Sequence, residues 1–299
     1  MHAAKPNTTH STHDLKICCL NVGGKLLERL SVKTGPHRRF FEKETPDVFA
    51  FVEVQSLKVK KVPHIPQYSR FFLGGNPTGG RPSGGLCVYV KNNLKNKFTL
   101  VKKRRADSVA WFRARRAGPD LFVCFLYCRV DNKSSVSTFY ENLSSDVLEF
   151  SGRGEVLLMG DYNARLGDFV GDRVTNAQEP HFMGFLEFHD LVLLNKTHAF
   201  GENTLHYVKE NHCSIIDFAL TSNTDSIQTF RVDKTVMGGT RHSAHKAIVC
   251  TVRGQLQNTP PHSPPRRRTK TPFNHINEKN VEKYSLSLIE ELKKKSGLN

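Results

Sequence analysis

The sequence predicts an α/β fold in which large mixed β-sheets carry helices on their outer sides. Three observations lead to this prediction. Nine short runs of β-type composition follow one another from Leu15 to Arg253, and many are apolar throughout, as expected for strands covered on both faces. Only a few segments have helical periodicity, so strands far outnumber helices. A chain of 299 residues with 38% hydrophobic content and 20 Phe has enough apolar material for a sizeable core.

The predicted strands read, in chain order, LKICCL, DVFAFVEV, GGLCVYV, SVAWFRA, LFVCFLY, EVLLMG, LVLLN, SIIDFAL and AIVCTVR. A helix is predicted to start near Thr138, because Thr138-Phe-Tyr-Glu has the spacing of a capping box. Phe139, Leu143 and Val147 follow at intervals of four and would form its apolar face. A shorter helix is predicted over residues 182–188.

Composition divides the chain into four parts. Residues 1–14 are polar and are expected to form a disordered leader, and residues 15–253 form the folded domain. Residues 254–276 include the Pro- and Arg-rich stretch PPHSPPRRRTKTP, which is typical of a linker. Residues 277–299 predict an isolated amphipathic helix, so we expect the chain to end shortly after its catalytic unit.

The charge of the chain favours a polyanionic partner such as nucleic acid. The net charge is +16, and residues 253–299 contribute ten basic and four acidic side chains, so residues 1–252 still carry +10. Basic clusters at 58–61, 102–105 and 113–116 could grip a DNA backbone or could form solvated loops. A merely soluble basic protein remains the alternative interpretation.

Two function classes are disfavoured. The longest apolar run, Leu121 to Cys128, is far shorter than the ~20 residues that a bilayer requires, so no membrane partner is expected. The seven cysteines are odd in number and include no CxxC pair, which argues against a disulfide framework or a zinc ribbon. Buried, reduced thiols in an intracellular protein are the better interpretation.

Oxygen-bearing side chains stand at the ends of several predicted strands. They are Asn21, Glu53, Asp161, Asn163 and Asp217. A buried carboxylate is costly unless it is paired, hydrogen-bonded or bound to metal, so this set indicates a hard-cation site such as one for Mg²⁺. Alternatives stay open for each residue. The two amides and Asp161 could cap turns. Glu53 and Asp217 could form structural salt bridges.

These residues and their flanking motifs resemble the endonuclease/exonuclease/phosphatase superfamily, the fold of DNase I and the apurinic endonucleases, over about Leu15 to Val252. The closest likeness is to the endonuclease domains of non-LTR (LINE-type) retrotransposons. The motifs that carry it are LNVGG, FVEVQ, RPSGGLCVYVKNNL, the strand ending at Tyr127, LLMGDYNARLGD, HDLVLLN, SIIDFALTS and HSAHKAIV. The resemblance implies a four-layer α/β sandwich with two mixed β-sheets packed face to face and helices outside.

The resemblance also implies metal-assisted hydrolysis of a phosphodiester. Glu53, with Asn21 beside it, would hold Mg²⁺, with Mn²⁺ as an alternative ion. Asp161 would orient and deprotonate the attacking water. Asn163 and Tyr127 would donate hydrogen bonds to phosphate oxygens, although a strand-end tyrosine is also ordinary in a core.

Further roles are implied near the second half of the chain. Asp217 would bind or orient at the far side of the site, and His245 would contact the scissile phosphate as an imidazolium. Thr204 and Ser243 would contact substrate. The Ser-Asp-His motif of the family reads Ser243-Ala244-His245 here. The missing residue is expected to be the carboxylate that hydrogen-bonds the histidine, so Ala244 predicts a severe loss of turnover while metal and DNA binding survive.

The implied function is Mg²⁺-dependent nicking of double-stranded DNA by a retroelement endonuclease domain, inside the cell and in the nucleus. A reverse transcriptase region would follow in the parent polyprotein. Two alternatives stay open at this stage. One is a catalytically dead DNA-binding remnant of the same fold, and the other is a phosphoesterase of the same fold that acts on small phosphate esters.

Overall fold

The computed structural model describes residues 14–24, 26–31, 35–129, 133–198, 207–209, 212–233 and 245–257. The strands are β1 (Leu15–Asn21), β2 (Val48–Val52), β3 (Tyr68–Leu73), β4 (Leu86–Lys91), β5 (Phe98–Arg104), β6 (Val109–Ala114), β7 (Asp120–Tyr127), β8 (Gly154–Asp161), β9 (Val192–Leu193), β10 (Tyr207–Lys209), β11 (His212–Ser214), β12 (Asp217–Thr221), β13 (Ile227–Val232) and β14 (Ile248–Val252). The α-helices are α1 (Leu26–Ser31), α2 (Pro36–Glu44), α3 (Lys133–Ser151), α4 (Glu179–Phe188) and α5 (Leu194–His198).

Twelve of these strands form two six-stranded mixed sheets. The first sheet has the order β13-β14-β1-β2-β4-β3, and the second has the order β5-β6-β7-β8-β12-β9. Each sheet has one parallel pair near its centre, β1 with β2 and β7 with β8, while its other pairs are antiparallel. Strands β10 and β11 form a separate hairpin.

Three apolar clusters define the layers. Side chains from the inner faces of both sheets, such as Cys19 and Phe125, form the central cluster. Helices α3 and α4 cover the outer face of the second sheet, and α1 and α2 cover that of the first, with the Phe41 ring of α2 stacked on Phe49. The predicted four-layer α/β sandwich, with two mixed sheets face to face and helices outside, is therefore confirmed.

Two local predictions were wrong. Helix α3 begins at Lys133, so Thr138 lies inside the helix and does not cap it. The apolar face was predicted correctly, since Phe139, Leu143 and Val147 are buried against the second sheet. The run LVLLN is not one strand, because β9 stops at Leu193 and α5 starts at once.

Several sequence predictions concern residues that lie largely or wholly outside the described ranges. These are the leader, most of the linker and the C-terminal helix. Of the seven cysteines, Cys213 has no described side chain; the other six are buried free thiols, as the reduced-thiol interpretation predicted. In the described part of the chain, no helix combines the length and apolarity that a membrane crossing requires.

Candidate active site

Strand register in the second sheet aligns three of the candidate residues. Asp161 at the end of β8 faces Tyr127 across the parallel pair with β7, and it faces Asp217 across the antiparallel pair with β12. The three residues therefore lie side by side at the same end of strands β7, β8 and β12. Asp161 and Asp217 are both buried, which the apolar strands around them require.

His245 reaches these residues from the first sheet, three residues before β14. Its Nδ1 lies 2.7 Å from Asp217 Oδ2, and both side chains are buried. The expectation that Ala244 leaves the histidine without a carboxylate partner is therefore wrong, because Asp217 is that partner. The argument for a severe loss of turnover consequently loses its physical basis. Ser243 and Ala244 themselves lie outside the described residues.

Hydrogen bonds engage both carboxylate oxygens of Asp161. Asn21 of the first sheet donates from Nδ2 to Oδ2 at 2.7 Å, and the Asn163 backbone N–H donates to Oδ1 at 2.8 Å. The Asn21 Oδ1 accepts the Gly23 N–H at 2.7 Å, and Asn163 Nδ2 donates to the Cys128 carbonyl at 2.8 Å. The orientation of Asp161 is thus determined by groups from both sheets.

Glu53 lies just after β2 on a strained piece of backbone. Its φ is 55° and that of Gln55 is 48°, values that L-residues rarely adopt. The Gln55 N–H donates to the Gly84 carbonyl at 2.8 Å, and the Gly24 N–H donates to the Glu53 carbonyl at 2.7 Å. Gln55 Nε2 also donates to Glu53 Oε1 at 2.5 Å.

This contact of Gln55 was not predicted from the sequence, although a signal existed. Gln55 is polar and stands two residues after Glu53 at the end of an apolar strand. The backbone is not extended here, since φ is positive at both residues, so the rule that residues two apart in a strand share a face does not apply. The signal is the short separation of two polar side chains along the chain.

The most compact group of possible metal ligands among the described residues is Asp161, Asp217 and His245. One ligand atom from each lies within 4.8 Å of the others. The Glu53 carboxylate is outside this group, and the Asn21 amide already contacts Asp161. The predicted metal pair of Glu53 and Asn21 is thus adjacent to the compact group and distinct from it.

Electrostatics in the site reflect an excess of buried negative charge. Burial, reinforced by the neighbouring Asp217 and Glu53 carboxylates and opposed by His245, raises the pKa of Asp161 to about 8. Burial of the His245 ring lowers its pKa, but Asp217, with further help from Asp161 and Glu53, outweighs that effect and raises the pKa to about 9. A cation in the site would relieve this repulsion.

The residues present fit a hard divalent cation. The buried Asp161 and Asp217 carboxylates lie close together, and the charge of the half-buried Glu53 carboxylate also acts on Asp161. Burial and these charges raise the pKa of Asp161. Carboxylate and amide oxygens are the ligands that Mg²⁺ and Mn²⁺ prefer.

Tyr127 lies beside these groups and is half-buried. Burial and then the nearby Glu53 and Asp161 carboxylates raise its pKa, so the phenol stays protonated, and its side chain also contacts Asn163. Its backbone N–H donates to the Ser108 carbonyl at 3.1 Å. A neutral phenol is a hydrogen-bond donor, which is what the predicted role requires. Thr204 lies outside the described residues.

Five of the ten basic side chains that were considered for DNA contact form ion pairs or hydrogen bonds within the fold. Lys102 and Arg104 both pair with the buried Asp146, and Lys102 also pairs with Glu149. Arg105 donates to the Gly75 carbonyl at 2.7 Å. The other pairs are Arg113 with Asp120 and Arg116 with Glu155. The clusters at 102–105 and 113–116 therefore serve mainly to stabilise the fold, while Lys58 and Lys60 are exposed.

Comparison with known proteins agrees with this geometry. Residues 121–249 match the family model described as endonuclease-reverse transcriptase. No curated protein matches the chain. Among solved structures, the catalytic domain of Xenopus laevis APE2 is similar with a TM-score of 0.64 at 12% identity, covering 83% of this chain and 94% of that one.

Two further solved structures are similar to this chain. The endonuclease domain of TRAS1, a telomere-specific non-LTR retrotransposon, has a TM-score of 0.58 at 16% identity and covers 81% of this chain and 100% of that one. The AP endonuclease LMAP from Leishmania major has a TM-score of 0.61 at 15% identity, with coverages of 81% and 88%.

The fold of this chain is thus the fold of these solved nuclease structures, as the sequence motifs predicted. The part of the chain from residue 121 to residue 249 also matches the endonuclease-reverse transcriptase family model.

Proposed function

We propose that this domain hydrolyses a phosphodiester of double-stranded DNA in the presence of Mg²⁺ or Mn²⁺, nicking one strand as the endonuclease of a retroelement. The observation that carries the proposal is the convergence of Asp161, Asp217 and His245, from both sheets, within 4.8 Å. Acid, base and orienting groups at this spacing can act together on one phosphate.

In the proposed reaction His245 stabilises the negative charge that accumulates on the phosphate. Asp217 holds the ring through Nδ1 at 2.7 Å, so Nε2 is the nitrogen that can face the phosphate. The raised pKa of about 9 keeps the ring cationic at neutral pH. An imidazolium stabilises a dianionic transition state more strongly than a neutral imidazole ring does.

Asp161 orients the attacking water and accepts its proton. The water oxygen forms a bond to phosphorus and the bond from phosphorus to the 3′ oxygen breaks. The 3′ oxygen takes a proton from solvent, so the products are a 5′-phosphate and a 3′-hydroxyl. Asn21 and the Asn163 N–H hold the carboxylate in place, and each of its oxygens keeps a lone pair for the water.

Glu53 is the proposed cation ligand, with Asn21 close by. When bound, a divalent cation screens the phosphate charge and stabilises charge on the leaving oxygen. Occupancy at Glu53 would also lower the pKa of Asp161 and so make it a competent base near neutral pH.

Tyr127 and Asn163 are the proposed donors to the non-bridging oxygens. The Asn163 amide donates to the Cys128 carbonyl and also hydrogen-bonds the Tyr127 side chain, so the two proposed donors lie side by side. Thr204 and Ser243 are proposed as further substrate contacts on the strength of the family resemblance alone. The same resemblance supports a nuclear location and a reverse transcriptase region in the parent polyprotein.

A supercoiled-plasmid nicking assay with Mg²⁺ tests the proposal. The given chain should nick, and Glu53→Ala and His245→Ala should each reduce the rate by at least ~100-fold, since each removes a group that acts in the transition state. Because Asp217 already pairs with His245, Ala244→Asp should change the rate less than fivefold, about 1 kcal/mol.

Other outcomes would favour the alternatives. A chain that retains DNA at low salt but does not nick, with or without Ala244→Asp, would be a DNA-binding remnant. Hydrolysis of small phosphate esters without plasmid nicking would indicate a phosphoesterase. Nicking that survives Glu53→Ala would contradict the assigned site.

A further inference from the structure

Gln55 is the one polar side chain in hydrogen-bond contact with the Glu53 carboxylate among the residues that the structure describes. Its Nε2 donates to Glu53 Oε1 at 2.5 Å, and both side chains are half-buried. Such a bond engages one carboxylate oxygen and restricts rotation of the group. The proposed reaction gives Glu53 its role but assigns none to Gln55.

The amide of Gln55 is held in an orientation that has an energetic cost. Its Oε1 is buried and has no hydrogen-bond partner in the described part of the chain. A buried acceptor without a partner is unfavourable, because it loses the hydrogen bonds that it would form with water. The reversed amide would direct Oε1 at the Glu53 carboxylate, which is repulsive. The contact with Glu53 therefore determines the orientation of the Gln55 amide, and it leaves the amide oxygen without a hydrogen-bond partner.

The surrounding backbone holds the Gln55 side chain in place. Both Glu53 and Gln55 have positive φ, and the Gln55 N–H is bound by the Gly84 carbonyl at 2.8 Å. A Cβ on Gly24 would lie 2.6 Å from Gln55 Oε1 and 2.1 Å from the Arg81 guanidinium. The absence of a side chain at Gly24 thus leaves the space that Gln55 and Arg81 occupy.

We propose that Gln55 is a positioning residue, which orients the Glu53 carboxylate for a divalent cation. The inference rests on the proposed function, because it takes Glu53 as the cation ligand. Strain and an unpartnered buried group are tolerated where they serve a site, and here both occur at the residue that contacts the ligand. Removal of a hydrogen-bond partner of a metal ligand typically weakens metal affinity by ~10–100-fold.

Mn²⁺ binding in the absence of DNA, followed by electron paramagnetic resonance, tests this role without reference to activity. Gln55→Met keeps the length of the side chain and removes the donor, and Gln55→Asn keeps the amide but withdraws it from Glu53. Each should weaken Mn²⁺ binding at least ~10-fold relative to the parent chain. Gln178→Met is the matched control, since Gln178 is also buried and has an unpartnered amide nitrogen, and it should bind Mn²⁺ like the parent.

A purely structural role would lower the melting temperature in EDTA and leave the Mn²⁺ affinity of the folded protein unchanged. That result in both Gln55 variants would overturn the inference, as would a parent chain that binds no Mn²⁺ at millimolar concentration. Plasmid nicking by the parent, measured alongside, decides the proposed function separately. A parent that binds Mn²⁺ with an affinity that falls in both Gln55 variants, but that does not nick, would support the positioning role and refute the nuclease.

Discussion

Replacing Asp217 by Asn removes the charge beside His245 and keeps the size of the side chain. The pKa of His245 is raised to about 9, so at pH 8 about 90% of the rings are protonated, whereas a ring with the ordinary pKa of about 6.5 would be about 3% protonated. The imidazolium population therefore falls about 30-fold at pH 8 and less than about twofold at pH 6. The substitution also weakens the contact that orients the His245 ring, and this lowers the nicking rate by a further factor that is the same at every pH.

Two measurements check this prediction. The pKa of the His245 ring, followed by NMR in metal-free protein, should fall toward its ordinary value in Asp217→Asn. The plasmid-nicking rate of the variant should lie well below that of the parent at pH 8 and recover in part toward pH 6, with His245→Ala as the control that shows no such recovery. A folded variant that nicks within threefold of the parent from pH 6 to pH 9 would refute the reasoning.

The remaining predictions concern the frame around the site. Asp172→Asn should lower the free energy of unfolding by about 2 kcal/mol at pH 7, because Asp172 is buried and paired with Arg165. Although burial raises its pKa, the hydrogen bonds from Arg165 and the Ile215 N–H outweigh this and lower the pKa, so the difference should shrink as the pH falls below about 4. Gly85→Ala should cost more than about 1 kcal/mol, since φ is 87° and the new Cβ would lie 2.7 Å from the Gly75 nitrogen.

Urea denaturation measures both of these effects. Arg165→Met is the companion variant for Asp172, and it should be at least as destabilising because it leaves a buried carboxylate without its cation. An Asp172→Asn curve that superimposes on that of the parent at pH 7 would contradict the first expectation. An unchanged unfolding midpoint for Gly85→Ala would contradict the second.

The strands with apolar runs were predictable because their signal is local, whereas β3, β5, β10, β11 and β13 were not among the predicted strands. Runs such as LFVCFLY are apolar along their whole length, and both sheets are covered on both faces, so composition and structure agree directly. The start of α3 was not predictable from Thr138, because the side chain that fits a capping box also tolerates a helix interior. Packing of α3 on the second sheet decides its length.

The candidate residues were predictable one by one, but their pairing was not. The partner of His245 is Asp217, which lies 28 positions earlier and in the other sheet. A motif read along the chain assigns the neighbouring position 244 to that role, whereas sheet packing assigns it to a distant strand. The contact between Gln55 and Glu53 was missed for a related reason, since it depends on a positive φ at both residues.

The central claim is that Glu53, just after β2 in the first sheet, binds a divalent cation beside the group of Asp161, Asp217 and His245. Anomalous diffraction from a crystal soaked in Mn²⁺ tests it most directly. We expect one strong peak within about 2.5 Å of a carboxylate oxygen of Glu53. A peak elsewhere on the molecule, or none at saturating Mn²⁺, would contradict it.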